Sequence, residues 1–274
     1  MEEDERSPEA HMMTIAGRWT ALRLTSGLAL LLAVGCTGMP AAPAALSAAD
    51  YASILADPLR PADDLKDDAA RKPAEVLAFA GLRPGQTVLE MEGGRGWFSF
   101  LISRAIGAEG RLIVQYPPEF AYGDPAYKAR VDAGQLPNAT ITRTHFDKLE
   151  AANGSVDRVL WILGPHEVWF TPKDTQGLGD PARTFQEIAR VLKPGGEFIA
   201  MDHAAVAGVP AATSAQTLHR IDPAHVLDAA KAAGLVYVER SDILANPADD
   251  RTKSPFAPDL RRHTDQFLFR FRKA

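Results

Sequence analysis

The chain has 274 residues and a single cysteine, Cys36. One thiol excludes an intramolecular disulfide and any cysteine-based zinc site. No basic excess is present: the net charge is -5, so the electrostatic footprint of a nucleic-acid binder is missing. The seven histidines are scattered, without the HExxH pattern or another tight ligand spacing, so no metal site is expected. Also missing is an apolar run of the ~20 residues that a membrane-spanning helix needs. What remains is ordinary globular composition, 46% hydrophobic and 24% charged, with length for one full core.

The N-terminal segment reads as an address. Residues 1–11 are acidic and polar and form an extension ahead of Met12 and Met13. Arg18 and Arg23 make a basic region, and Leu24 to Gly35 is an apolar run of signal-peptide length. It ends in Ala33-Val34-Gly35-Cys36, which resembles the lipobox of bacterial lipoproteins. That resemblance implies cleavage before Cys36 and a lipid on its sulfur, hence a membrane partner. Thr37 rather than aspartate follows, which implies the periplasmic face of the outer membrane. Residues 1–36 are therefore expected to be a signal peptide with lipobox, 37–50 an Ala/Pro-rich tether, and 51–274 one folded domain.

Within the domain, Thr87-Val-Leu-Glu-Met-Glu-Gly-Gly-Arg-Gly-Trp-Phe98 reads as strand, glycine turn and helix start. Such a turn lets backbone approach a ligand closely, because no Cβ intervenes, and aims free helix N–H groups at it. Further strands are expected over 111–115, 139–144, 156–163, 197–201, 235–240 and 265–272. Helices are expected over 73–80, 98–106, 127–131, 181–192 and from Asp222 to Gly234. Lys193-Pro-Gly-Gly196 reads as a tight turn and the stretch after His203 as a Gly/Ala/Pro loop. Strands alternating with helices point to an α/β, Rossmann-like doubly wound sheet of seven mostly parallel strands. The last two strands lack a crossover helix between them, so the final strand is expected to be antiparallel.

Glu90-Met-Glu-Gly-Gly-Arg-Gly96, Arg190-Val-Leu-Lys-Pro-Gly-Gly196 before a strand, and the terminal hairpin resemble class I S-adenosylmethionine-dependent methyltransferases. Arg71-Lys-Pro, Met201-Asp-His, His219-Arg-Ile-Asp-Pro and Asp250-Arg-Thr-Lys resemble a narrower bacterial group described as predicted methyltransferases. The resemblance implies S-adenosylmethionine as cofactor and a small-molecule substrate. It maps the cofactor loop onto Glu90, Glu92, Gly93, Gly94 and Gly96, and the adenine-facing acid onto Asp147. Two positions depart from the pattern. Glu92 stands at the family's first glycine, where it would either crowd the cofactor's methionine part or pair with its amino group. Gln115-Tyr116 stands where the family has an acid for the ribose hydroxyls; either side chain, Gln115 or Tyr116, can hydrogen-bond a hydroxyl, less strongly than a carboxylate.

Ligands in such sheets lie beyond the carboxyl ends of the strands. His166 and His203 fall there, as does the loop 241–264. Histidine has the pKa of a base suited to methyl transfer onto oxygen or nitrogen, so these two are the expected catalytic residues. The alternative is a non-catalytic envelope protein that reuses the fold to bind a ligand or partner.

Overall fold

The computed structural model describes residues 43–274. The expected signal segment with Cys36, and residues 37–42 of the expected tether, lie outside the described residues. None of the described helices is long and apolar enough to cross a membrane.

The chain opens with helix α1 (Ala48–Leu55), earlier than expected because Ser47 and Asp50 form a reciprocal capping box. Short α2 (Asp68–Arg71) leads into α3 (Pro73–Ala80), which Gly81 ends in a left-handed conformation. Strand β1 (Thr87–Met91), helix α4 (Trp97–Ile106) and strand β2 (Arg111–Tyr116) form the first parallel unit. Helix α5 (Asp124–Asp132), strand β3 (Ala139–Arg143) and strand β4 (Val156–Ile162) follow. Helix α6 (Pro181–Val191) starts at Asp180, whose side chain accepts from the Arg183 N–H. Strand β5 (Leu192–His203), helices α7 (Ala211–Leu218) and α8 (Pro223–Ala232), and strands β6 (Leu235–Ser241) and β7 (Gln266–Lys273) complete it.

The seven strands lie in the order β3-β2-β1-β4-β5-β7-β6. β7 runs antiparallel to both neighbours, so β6 is parallel to the rest, and the expected mixed sheet is observed. Chain order reverses between β1 and β4, which places the ligand crevice beyond the ends of those two strands. Each face of the sheet carries its own apolar core. On one side lie Trp161, Phe185, Ile188, Phe198 and Phe271. On the other lie Leu77, Phe100, Leu101, Leu160 and Ile199. The alternation of Leu160 and Trp161, and of Phe198 and Ile199, is the period-two signature of a strand buried on both faces. Each such side chain contributes roughly 1.5–3 kcal/mol by leaving water.

Two local expectations are corrected. Lys193–Gly196 does turn tightly, with Gly195 at φ +74°, but inside the strand rather than before it: β5 already begins at Leu192, paired with Val156, and the turn is absorbed as a register shift before Arg158 pairs Glu197. The stretch after His203 contains helix α7, because Ala211-Ala-Thr-Ser-Ala-Gln-Thr-Leu218 has good helix formers but only a weak apolar stripe.

Candidate functional site

The glycine turn rises from β1 into α4. Glu90, 3% exposed, accepts from Ser99 Oγ at 2.5 Å, and the Tyr127 hydroxyl lies 2.7 Å from the same Oγ. Burial pushes the Glu90 carboxyl up to about 7, against the opposing effects of Ser99 and the Arg130 charge. Gly93 has to be glycine because Tyr127 presses on it: a Cβ there would meet the Tyr127 hydroxyl at 2.0 Å and Val114 Cγ1 at 2.6 Å. Gly94 differs. It has φ of +58°, and among the described residues nothing lies within 4 Å of where its Cβ would sit, so that flank is open, while its carbonyl packs against Gly123. Gly96, also at positive φ, caps α4 beneath the Arg130 side chain. Arg130 in turn donates to the Arg95 carbonyl and pairs with Asp64 through both carboxylate oxygens.

Beyond β2 and β3 the side chains are partly committed. The Tyr116 hydroxyl donates to Asp124 at 2.6 Å, and the Tyr116 ring stacks on Tyr127 under the Arg143 guanidinium. Gln115 donates to the Thr144 carbonyl but keeps a buried Oε1 without a hydrogen-bond partner. Asp147 accepts from the Asp180 N–H through Oδ2, while its buried Oδ1 has no partner.

The other side of the crevice is a polar cluster. Glu92 follows β1 at φ +52°, the left-handed geometry for which the family's first glycine is suited. Its side chain crosses toward β4: Glu92 Oε2 and Trp161 Nε1 each lie 2.3 Å from where a Gly164 Cβ would sit. Neither atom has a hydrogen-bond partner. His166 stands on the short 3-10 turn Pro165–Trp169 directly after β4 and is 3% exposed. Its Nδ1 faces both oxygens of fully buried Asp202 at 3.0 Å, and its backbone N–H donates to the same carboxylate at 2.6 Å. Glu167 Oε1 lies 3.2 Å from His166 Nε2 and 3.7 Å from His219 Nδ1.

The charges are set by this packing. Burial pulls the His166 pKa down, but the carboxylates of Asp202 and Glu167 outweigh it and hold it well above the usual histidine range. Burial pushes Glu167 up, and the two histidines overcome it, bringing the group down to about 2. Glu92 has burial and the Glu167 charge acting together, so its carboxyl is held well above the carboxylate range. His203, at the end of β5, has its Nδ1 2.7 Å from Thr264 Oγ1. Burial first, and the His166 charge second, keep its pKa well below the ordinary value.

His203 also opens onto a cavity of about 150 Å³ with Arg71, Leu163, Phe256, Arg261 and Arg262 around it. The loop 241–264 therefore does cover the crevice rim. Buried Arg220 anchors it, pairing with Asp249 at 2.8 Å and donating to the Lys253 carbonyl. Of the residues named from sequence, the structure gathers Glu90, Gly93 and Gly96 with Tyr127, and Glu92 with His166. His203 touches that second group only through Asp202, whose Oδ1 accepts from the His203 N–H. Glu167 and His219 were not expected at the site. The first sits next to His166, and the second lies inside the quoted His219-Arg-Ile-Asp-Pro stretch.

A family model described as a methyltransferase domain matches residues 123–200. Ubiquinone/menaquinone biosynthesis C-methyltransferases are similar to this chain. That of Hydrogenovibrio crunogenus is 27% identical over 131 residues, 48% of this chain and 47% of the relative. That of Haemophilus ducreyi is 28% identical over 127 residues, 46% of this chain and 45% of the relative. The chain thus matches about half the length of these relatives. Among solved structures, a SAM-dependent methyltransferase from Aquifex aeolicus superposes with a TM-score of 0.54 at 18% identity, over 84% of this chain and 100% of that one. The chain carries the class I methyltransferase fold. A 4+2 cyclase shares that fold, with a TM-score of 0.56 at 15% identity over 86% of this chain and 98% of the other, so the fold alone does not name a reaction.

S-adenosylmethionine is the cofactor that methyltransferase relatives imply, and residues of the crevice fit it. One flank of Gly94 is open, as a closely approaching ligand requires. Gln115 Oε1 and Asp147 Oδ1 are buried acceptors without partners near the ends of adjacent strands, suited to hydroxyl and amino donors.

Proposed function

We propose that this chain is an S-adenosylmethionine-dependent methyltransferase for a small, negatively charged acceptor, exported and held by lipid on Cys36 at the periplasmic face of the outer membrane. The observation that carries the reading is the open flank of Gly94, between buried Glu90 and the unpartnered acceptors of Gln115 and Asp147. In this reading Gly94, Gly96 and Glu90 hold the methionine half of the cofactor, and Gln115 and Asp147 the nucleoside. The Tyr116 hydroxyl donates to Asp124, so Gln115 takes the ribose position. The cofactor supplies an electrophilic methyl group.

The acceptor would enter the cavity beside His203. The cavity lining holds one carboxylate, Asp67, paired with Arg71 and Arg262, and a third guanidinium, that of Arg261, an excess of positive charge that favours an anion. Of the two histidines, His203 is the better base, since its lowered pKa keeps the ring neutral and able to take a proton. His166, gripped by Asp202 and Glu167, positions rather than abstracts.

Calorimetry of the full chain with S-adenosylmethionine and S-adenosylhomocysteine tests the reading. Saturable binding of either supports it. Binding of neither, far above ordinary cofactor levels, overturns it in favour of a non-catalytic envelope module, which the position of Glu92 and the packing of Tyr127 on Gly93 would suit. The anchor is tested apart: Cys36→Ser should abolish incorporation of labelled fatty acid, and continued labelling would refute it.

A further inference from the structure

We infer that His166, Glu167 and His219 form a binding site for one divalent first-row transition-metal ion of the zinc type. The three come from two places in the chain, the turn after β4 and the residue that ends α7. One ligating atom of each lies within 4.8 Å of the others. Around a tetrahedral ion with bonds of about 2.0–2.1 Å, ligand atoms stand roughly 3.4 Å apart. Small side-chain rotations close that difference, and the 3.2 Å pair of His166 and Glu167 is already there.

Three observations distinguish this cluster from an ordinary buried ion pair. The atoms that would bind are poorly satisfied: Glu167 Oε2 and His219 Nδ1 are buried without a hydrogen-bond partner, and His166 Nε2 faces Glu167 Oε1 at 3.2 Å without good hydrogen-bond geometry. Such groups are costly to bury unless something occupies them. The support behind His166 is already in place. Asp202 accepts from two backbone N–H groups and faces His166 Nδ1, which holds one proton there, so that an ion binding at Nε2 would displace the proton now facing Glu167. Backbone strain holds the third ligand: His219 sits at φ +51° and ψ +51°, a left-handed conformation that a β-carbon disfavours, with its ring against Phe170 and Phe256.

Two imidazoles and one carboxylate select a borderline ion over magnesium or calcium, which take oxygen ligands. Three protein ligands leave a coordination position open. Phe256, 65% exposed, packs on His219 and also lines the cavity at His203, so the cluster and the cavity are neighbours.

Cobalt(II) titration of the full chain, without any methyl donor, reads the site directly. One equivalent should raise visible ligand-field bands that saturate and that zinc then displaces. Glu167→Gln, which keeps the shape, and His219→Ala should remove the bands at one equivalent. Asp202→Asn should weaken affinity about 10–100-fold through His166. His145→Ala, at a histidine paired with Glu119 elsewhere, should change nothing. No bands from the folded wild-type chain in cobalt excess would overturn the site, as would bands that persist in both His219→Ala and Glu167→Gln. Because no cofactor is added, failure here is distinct from failure of the methyltransferase reading.

Discussion

Glu90 and Glu92 are two residues apart and end in opposite kinds of surroundings. Glu90 lies in a chain of buried polar groups that are paired: Glu90, Ser99 and Tyr127 are linked by hydrogen bonds. Glu92 ends among groups that are less well served: its Oε2, Trp161 Nε1 and Glu167 Oε2 lack hydrogen-bond partners, and His166 Nε2 has only the 3.2 Å contact with Glu167 Oε1. Both regions are buried and acidic, so burial does not separate them. Satisfaction does. The paired chain stabilises the turn and presses α5 onto it. The unpaired cluster pays in stability for something it is shaped to hold.

The largest expected effect falls on the support of the unpaired side. Arg220 is wholly buried, adjoins His219, and its pair with Asp249 ties the 241–264 loop to the end of α7. Arg220→Ala leaves Asp249 buried and unpaired and should cost about 3–5 kcal/mol in urea unfolding. A loss under about 1 kcal/mol would show that the loop does not depend on that clamp.

Next is the paired side. Glu90 has a folded-state pKa of about 7, above the ordinary 4.5 of a glutamate. The folded chain therefore binds this proton more tightly than the unfolded chain. Its contribution to stability is fully present below about pH 4.5 and is lost as pH rises toward 7. Glu90→Gln cannot ionise, so the variant's stability relative to wild type should rise between pH 4.5 and 8, by on the order of 3 kcal/mol. Unfolding curves of both proteins at pH 5 and pH 8 measure this; parallel behaviour at the two pH values would contradict it.

The smallest effect is expected at Glu92. Glycine at φ +52° relieves the left-handed strain and removes an unsatisfied carboxyl, so Glu92→Gly should stabilise by about 1 kcal/mol. Destabilisation would mean that Glu92 belongs with the paired groups after all. Cofactor calorimetry on the same variant sharpens the point: tighter binding marks Glu92 as an obstruction, and weaker binding as a partner of the amino group.

Much of the fold was legible because its signals are local. Val88-Leu89, Leu112-Ile113-Val114 and Val159-Leu160-Trp161 are short apolar runs that only a strand covered on both faces can bury, and Pro73, Gly81, Asp180 and Asp222 punctuate the helices between them. Helix α7 was not legible, since Ala211–Leu218 carries helix formers without a clear apolar stripe. The turn at Lys193–Gly196 was legible but the start of β5 at Leu192 was not, because a tight turn can be spliced into a strand as an irregularity. In the site, Glu90 and the glycines announced themselves by spacing within seven residues. His219 could not, because nothing local links it to His166, 53 positions earlier.

The amino-acid sequence by itself determined the order of strands and helices, the glycine turn and the place of Glu92 within it, because each rests on neighbours in the chain. Only the tertiary structure decided which buried groups found partners. Tyr127 arrives from α5 to fill the space over Gly93, while Glu92, His166, Glu167 and His219 converge from three segments and leave unsatisfied atoms facing one another. Hydrogen-bond satisfaction is a property of distances across the fold, and no spacing along the chain encodes it.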